Sequence, residues 1–435
     1  MNNLEFVTFN DQKIYITNNK LELKRKSIKS LDEISGIIDL NSLEMLSLSH
    51  NLLGSIPESI GNLTCLKVLY LDNNLLKSLP DSISSLHNLE ELWLRANKLR
   101  KIPKCINNLN SLRILDLGSN ERLDTEINFN NLTSLNTLSF ALCGVKSLPN
   151  SIGNIHSLKT LNLGGNLLSS LPDSLVSLNN LQKLILGGNN FKILPKVIGS
   201  LFNLKELNLV NSNITNIPEE IGNLSKLEML NLSLNDVTEL PMSISNLTSL
   251  KSLWLSHNSL NSIPNSIKHL QSLKFLAFSG NNLKNLPDFI GNLKNLEELQ
   301  LQGNQLEYLP DSLNKLESLK FLNLNSNPLK KNGTNALQII DQLREKDITV
   351  YFFEEKFYES PKFTELTKDV ILLILSNEWQ SYFTLIRKLG IKTMKDAKDL
   401  QSKLKELHRN GLVLKEIKNG RTHWKKNKRP SSNII

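Results

Sequence analysis

Cysteine, aromatic residues and long apolar runs are all scarce in this chain, and each scarcity excludes something. Three cysteines in 435 residues, Cys65, Cys105 and Cys143, are too few and too far apart for a disulfide framework or a zinc site. No apolar run approaches the roughly 18 residues that a membrane-crossing helix needs, so no membrane partner is expected. Residues 1–10 have neither a basic start nor an apolar core, so they do not read as a secretory leader. These three observations lead to the expectation of a soluble cytoplasmic protein. Phosphate-cradling, kinase, zinc-protease and nucleophile-elbow motifs are all missing. The expected function is therefore non-enzymatic and independent of a cofactor or a metal. With aromatics at 6% against 40% hydrophobic residues overall, leucine and isoleucine must build the interior.

Leucine is arranged with a strict period. The phrase L-x-x-L-x-L-x-x-N starts at Leu43 and recurs every 23 residues, thirteen times, to Leu319. One copy, residues 89–111, reads LEELWLRANKLRKIPKCINNLNS. The alternation around L-x-L predicts a short strand with one buried face, and I-P-x-x-I-x-x-L predicts a helical or irregular turn opposite it. A single unit cannot bury its own leucines, but stacked units share a continuous core with their strands in one parallel sheet. The ninth position is asparagine in eleven copies, with Cys143 and Ser212 in the other two. An amide both donates and accepts, so it suits the backbone groups left open where the chain leaves the strand. Proline stands fourteen residues after the first leucine in eleven copies, Pro57 through Pro310. Its fixed φ and missing donor fit a turn. The fourth copy has Glu126 there, which predicts a local change on that side. The glycosylation-type triplets at Asn62, Asn131, Asn223, Asn246 and Asn332 largely follow from the repeated N-L-T/S phrase and read as structural.

These residues resemble the leucine-rich-repeat family, in particular the intracellular class that includes Ras-binding scaffolds, Scribble-like scaffolds and plant Ras-group repeat proteins. The resemblance covers roughly residues 20–330. It implies an α/β solenoid, a horseshoe with a parallel concave sheet, and a protein-interaction role in which a small GTPase or another signalling protein is a candidate partner. The domain reading is an N-terminal cap over 1–42, repeats over 43–330, a C-terminal cap and linker over 331–360, and a separate domain over 361–435. Within the C-terminal cap, residues 335–346 read as an amphipathic helix with Leu337, Ile340 and Leu343 inward, followed by a strand.

Residues that alternate with the buried leucines point to the concave side. Large aromatics and charges gather there in the second to fourth repeats as Tyr70, Asp72, Glu91, Trp93, Arg95 and Asp116. A second patch holds Trp254 and Phe275. Seven strand spacings of about 4.8 Å put the two tryptophans roughly 34 Å apart. Tryptophan, tyrosine and arginine dominate binding hot spots, so these eight residues are the candidate protein-binding set. Rings lying flat on neighbouring strands are the purely structural alternative.

The last 75 residues differ in charge. Residues 361–435 hold 17 Lys/Arg against 7 Asp/Glu, a net of +10, while residues 1–360 hold 34 against 35. Apolar periodicity predicts helices over 364–376, 381–389 and 394–410, then a β-hairpin around Asn419 and Gly420. Three helices and a hairpin resemble a small winged helix-turn-helix domain. On the third helix Lys395, Lys398, Ser402, Lys405 and Arg409 share one stripe opposite the apolar face. Lys418, Arg421, Lys425 and Lys426 lie on the hairpin. The pattern is that of a nucleic-acid surface with more phosphate contact than base reading, since lysine dominates. A protein-docking wing is the alternative.

Overall fold

The computed structural model describes residues 6–126, 128–329, 335–352, 380–381, 404, 413–418 and 421–426. Two compact units divide the chain, Met1–Phe353 and Glu354–Ile435.

The first unit is a solenoid built on one 15-stranded parallel sheet running from Lys20–Glu22 to Thr349–Tyr351. Thirteen of the strands are the x-L-x triplets of the repeats, and they pair without slippage. Leu69, Leu92, Leu115 and Leu138, for example, are consecutive register partners. Both leucines of each L-x-L phrase are buried, apart from the phenylalanines Phe140 and Phe278 that fill the second position in two repeats and are buried too. Removing each such side chain from water contributes about 2 kcal/mol, and it does so only because neighbouring repeats cover it.

The eleven prolines each precede a five-residue 3-10 helix, such as Pro80 before Asp81–Ser85 and Pro103 before Lys104–Asn108. Each helix turns an isoleucine or leucine inward, for instance Ile83 and Ile106. The fourth repeat, without the proline, has no such helix among its described residues. Phe129 takes the inward position instead and meets Phe140 at 6.2 Å between ring centres.

The ninth-position amides are buried. Asn97 is typical: its Nδ2 donates to the carbonyls of Leu71 and Leu94 at 2.9 and 3.0 Å, and its Oδ1 accepts the Leu76 N–H at 3.0 Å. Where the amide is replaced, the side chain still donates, Cys143 Sγ to Leu117 O at 3.2 Å and Ser212 Oγ to Leu186 O at 3.2 Å. Neither accepts a backbone N–H. In both places the preceding loop instead pairs through the backbone, Leu123 N to Cys143 O and Phe191 N to Ser212 O, each at 3.1 Å. The residue just before this position has positive φ in all thirteen repeats, from His50 to Ser326. Glycine, asparagine, histidine and serine fill most of these sites, but Leu142 and Leu234 also adopt this conformation.

Both ends of the core are covered. At the start, the antiparallel strands Phe6–Phe9 and Gln12–Tyr15 pair with Ile34–Ser35 and bury Val7 and Phe9. The short helix Leu31–Glu33 begins with a reciprocal cap between Ser30 and Glu33. At the other end, the helix Ala336–Glu345 precedes the last strand of the sheet. Its buried residues are Ala336, Ile339, Ile340 and Leu343, while Leu337, expected inward, is only half-buried. The helix is rotated by part of a turn from the expected face.

In the second unit, Val413–Lys418 and Arg421–Lys426 form the expected antiparallel hairpin, and Gln380–Ser381 adds a third strand beside Arg421–Lys426. Ser381 therefore belongs to a strand and not to the start of a helix. Leu404 is helical and buried. The rest of the three expected helices lies outside the described residues.

Replacing Asn97 by alanine strands three buried backbone groups. At about 1 kcal/mol or more for each unpaired group, the expected loss is about 3 kcal/mol, read as a lowered urea midpoint.

Candidate interaction surface

In the second repeat the strand Val68–Tyr70 delivers Tyr70, and in the third Glu91–Trp93 delivers Trp93 as its register partner. The two rings stack with centres 5.9 Å apart and planes inclined by 26°. Trp93 Nε1 donates to Glu91 Oε2 at 3.0 Å, which holds the indole in place on the strand. Lys24 Nζ stands 5.7 Å from the centre of the Tyr70 ring. Burial, followed by the charges of Glu91, Asp72 and Glu22, pushes the Tyr70 hydroxyl pKa upward, so it remains a neutral donor.

Arg95 lies across the fourth repeat. A Cβ on Gly118 would come within 2.8 Å of Arg95 Nη1, so glycine is what leaves space for the guanidinium. Asp72 accepts from Ser49 Oγ at 2.9 Å and from Asn73 Nδ2 at 3.2 Å. Asp116 is more enclosed than its strand position suggests. It is buried, and its Oδ1 accepts the Gly118 N–H at 2.8 Å, so part of its hydrogen-bonding capacity serves the backbone.

Together Tyr70, Asp72, Trp93, Arg95 and Asp116 line a concave pocket of about 620 Å3. Lys24, Arg25, Ser49 and His50 complete its walls. The basic pair was not anticipated, because the first strand precedes its neighbour by 25 residues and so falls outside the 23-residue period. The alignment of Leu21 and Leu23 with Leu46 and Leu48 was the available signal. Glu91 does not line the pocket but positions Trp93 from beside it. Trp254 and Phe275 sit on adjacent strands farther along the same sheet and stack at 4.0 Å, with Trp254 37% exposed. The structure thus brings six of the eight candidates into one cluster and leaves two as a second platform.

Four overlapping stretches of the chain, residues 20–144, 112–212, 192–277 and 246–408, match the model for a leucine-rich repeat region. The chain belongs to the leucine-rich-repeat family. Among solved structures, this leucine-rich-repeat chain is similar to a leucine-rich-repeat protein of Leptospira interrogans. The two are 34% identical over 76% of this chain and 95% of that one, with a TM-score of 0.69. It is also similar to the plant peptide hormone receptor RGFR1 in complex with RGF2. There the identity is 34% over 67% of this chain and 49% of that one, about half the receptor chain, with a TM-score of 0.56. An internalin from Listeria monocytogenes has the same fold at 23% identity, over 78% of this chain and 87% of that one, with a TM-score of 0.58. No curated protein matches. Leucine-rich-repeat proteins generally mediate protein–protein interaction, and the fold is typically a non-enzymatic module.

The remaining candidates belong to the second unit. Lys418, Arg421, Lys425 and Lys426 lie on the two hairpin strands, with Lys418 and Arg421 as register partners. Lys395, Lys398, Ser402, Lys405 and Arg409 lie outside the described residues. No helix among the described residues is long and apolar enough to cross a membrane.

Charge on the solenoid follows the same period as the leucines. Ion pairs join residues 23 apart, as in Lys67–Glu44, Lys183–Glu206 and Lys251–Glu228. Glu297 bridges two lysines, Lys320 at 2.6 Å and Lys274 at 3.0 Å. The hydrogen bonds from Lys320 and then Lys274, with the charge of both, lower its pKa from 4.5 to about 2. A lowered carboxylate pKa means that the bridge is intact above about pH 4.5 and is lost as pH falls through about 2. A carbon-detected NMR titration is expected to place the Glu297 midpoint near the lower value, and in Lys274→Gln/Lys320→Gln near the ordinary one. An ordinary midpoint in the unmodified protein would show that the bridge does not form in solution.

Proposed function

We propose that the protein is a non-enzymatic cytoplasmic scaffold that captures a protein partner on the concave face of its repeats. The observation that carries this reading is the Tyr70–Trp93 stack beside Arg95 in the concave pocket. Rigid aromatic rings and a guanidinium group offer large contact area at little entropic cost, which is the usual composition of an energetic centre in an interface. The Trp254–Phe275 platform lies roughly 34 Å away by strand count. A partner that engages both is a folded protein or a long peptide. That the receptor RGFR1 was solved in complex with RGF2 supports a ligand-capturing role for a related solenoid. Placement in the cytoplasm is supported by the free thiols of Cys65, Cys105 and Cys143, of which Cys65 is exposed. Burial raises the pKa values of Cys105 and Cys143 to about 11, which suits packing and not nucleophilic chemistry. Resemblance to the Ras-binding class makes small GTPases the first panel of partners to assay.

A second reading, a nucleic-acid-associated regulator with the repeats as its protein sensor, is favoured by the net +10 of residues 361–435 and the basic hairpin strands. Phosphate contact through lysine gives affinity without sequence reading. A winged-helix arrangement of this unit is part of the same proposal.

Trp93→Ala and Arg95→Ala are each expected to weaken capture of the identified partner by tenfold or more, on the order of 2 kcal/mol, with unchanged thermal unfolding. Undiminished binding would remove the concave patch as the capture site. For the second reading, the full chain is expected to hold duplex DNA at low salt and to lose it steeply as salt rises. Lys425→Gln/Lys426→Gln should reduce the salt slope by about 2. No retention at low salt would dismiss that reading.

A further inference from the structure

Opposite charges occupy equivalent positions of neighbouring repeats along most of the solenoid, but one region breaks that rule. Lys77 and Arg100 are equivalent residues of the second and third repeats, 23 apart, so like charges stand one strand spacing from each other. Lys98 and Arg122 join them around a concavity of about 840 Å3 at the edge of the sheet. All four side chains are exposed, and none forms an ion pair or side-chain hydrogen bond among the described residues. Glu121 is the one acid in the lining, so the site carries a net charge of about +3.

The backbone explains how the fourth cation arrives. Elsewhere the inward leucine follows the ladder asparagine by two residues, as Leu99 follows Asn97; in the fourth repeat Leu123 follows Asn120 by three. The extra residue is Arg122, which adopts a φ of +59° while Leu123 N donates to Cys143 O at 3.1 Å. A long charged side chain thus projects outward from the place where the other repeats turn inward. Maintaining this conformation at a non-glycine residue, beside three other cations, disfavours the empty site.

We propose that this surface binds a ligand carrying closely spaced phosphate groups. One carboxylate does not neutralise three net charges, whereas two adjacent phosphates do. Two guanidinium groups pair with phosphate oxygens through parallel N–H donors, and the two lysines add point charge. Half-exposed Leu75 borders the site and gives an apolar contact for whatever bears the phosphates. The residues are distinct from those of the concave aromatic patch, so either site can fail without the other.

The basic residues of 361–435 take up polyanions on their own account, so the test must be local. Amide hydrogen exchange of the full chain is followed over 96–124 with two probes. One is inorganic tripolyphosphate, and the other is an otherwise uncharged peptide with two adjacent phosphoserines. Protection of that segment is expected, with affinity about tenfold weaker for each guanidinium removed in Arg100→Gln and Arg122→Gln. Lys268→Gln/Lys284→Gln, which removes equal charge elsewhere, should bind as the unmodified protein does. Equal protection by both probes identifies a free phosphate compound as the ligand, and stronger protection by the peptide identifies a phosphorylated protein segment. Without ligand and at low salt, Arg100→Gln/Arg122→Gln should unfold at no lower temperature than the unmodified chain. If that variant does not fold, Lys77→Gln takes its place. Absence of protection with both probes at low salt, or protection undiminished in the variants, overturns the proposal.

Discussion

The solenoid depends on the hydrogen bonds of one buried amide per repeat. At the ninth position each asparagine ties its own strand end to the preceding repeat, donating to one carbonyl in each and accepting an N–H from the loop between. Leucine burial provides the free energy of stacking, but burial is tolerant of sliding and rotation. The amide is not, because a displaced repeat leaves buried donors and acceptors unpaired. Cys143 and Ser212 show the limits of the arrangement. Each keeps the donor function and loses the acceptor function, and the backbone of the preceding loop closes on the next repeat to compensate. The conformation of the loop is therefore set by the chemistry of one side chain in the following repeat.

Fixed register turns the sequence into columns. Residues 23 apart become neighbours about one strand spacing apart, and every surface property follows from what is stacked on what. Opposite charges stacked in this way give ion pairs, from Lys67–Glu44 to Glu297 with its two lysines. Being exposed, these pairs contribute little individually to stability, yet they keep the solenoid surface neutral over long distances. Tyr70 and Trp93, also 23 apart, stack by the same rule. A rigid column of rings binds without first being ordered, which reduces the entropic cost of association.

What was legible in the sequence is what the period repeats. The leucines, the amides and the prolines each recur often enough to be assigned a role, and the sheet register and the eleven 3-10 helices follow from them. Less legible were features carried by geometry alone. The positive φ before each ladder residue is occupied by glycine, asparagine, histidine, serine, alanine and leucine, so no single residue type announces it. Lys24 and Arg25 join the concave pocket because Lys20–Glu22 pairs with Met45–Ser47 across a 25-residue step, which a search at 23 passes over. Asp116 alternates with buried leucines as an exposed residue should, but a neighbouring glycine N–H draws its carboxylate down to the backbone. On the end helix, Leu337 gives way to Ala336 and Ile339 because the face is chosen by the last repeat and not by the helix's own periodicity.

The fourth repeat brings these strands of argument together. It lacks the proline, has no 3-10 helix among its described residues, carries one extra residue in its loop, and is followed by the repeat in which cysteine replaces the amide. In a regular solenoid the inward positions are all committed to the core, and backbone geometry offers the same outward positions in every copy. An irregular copy escapes that constraint. Gly118 admits Arg95 across its strand, and the added Arg122 projects to the sheet edge. The concave pocket and the basic concavity thus adjoin the one repeat whose irregularity supplies residues to both. Repeats that obey the period give the protein its rigidity. The repeat that departs from it is where side chains are released for binding, and the cost is local because the sheet continues in register on either side.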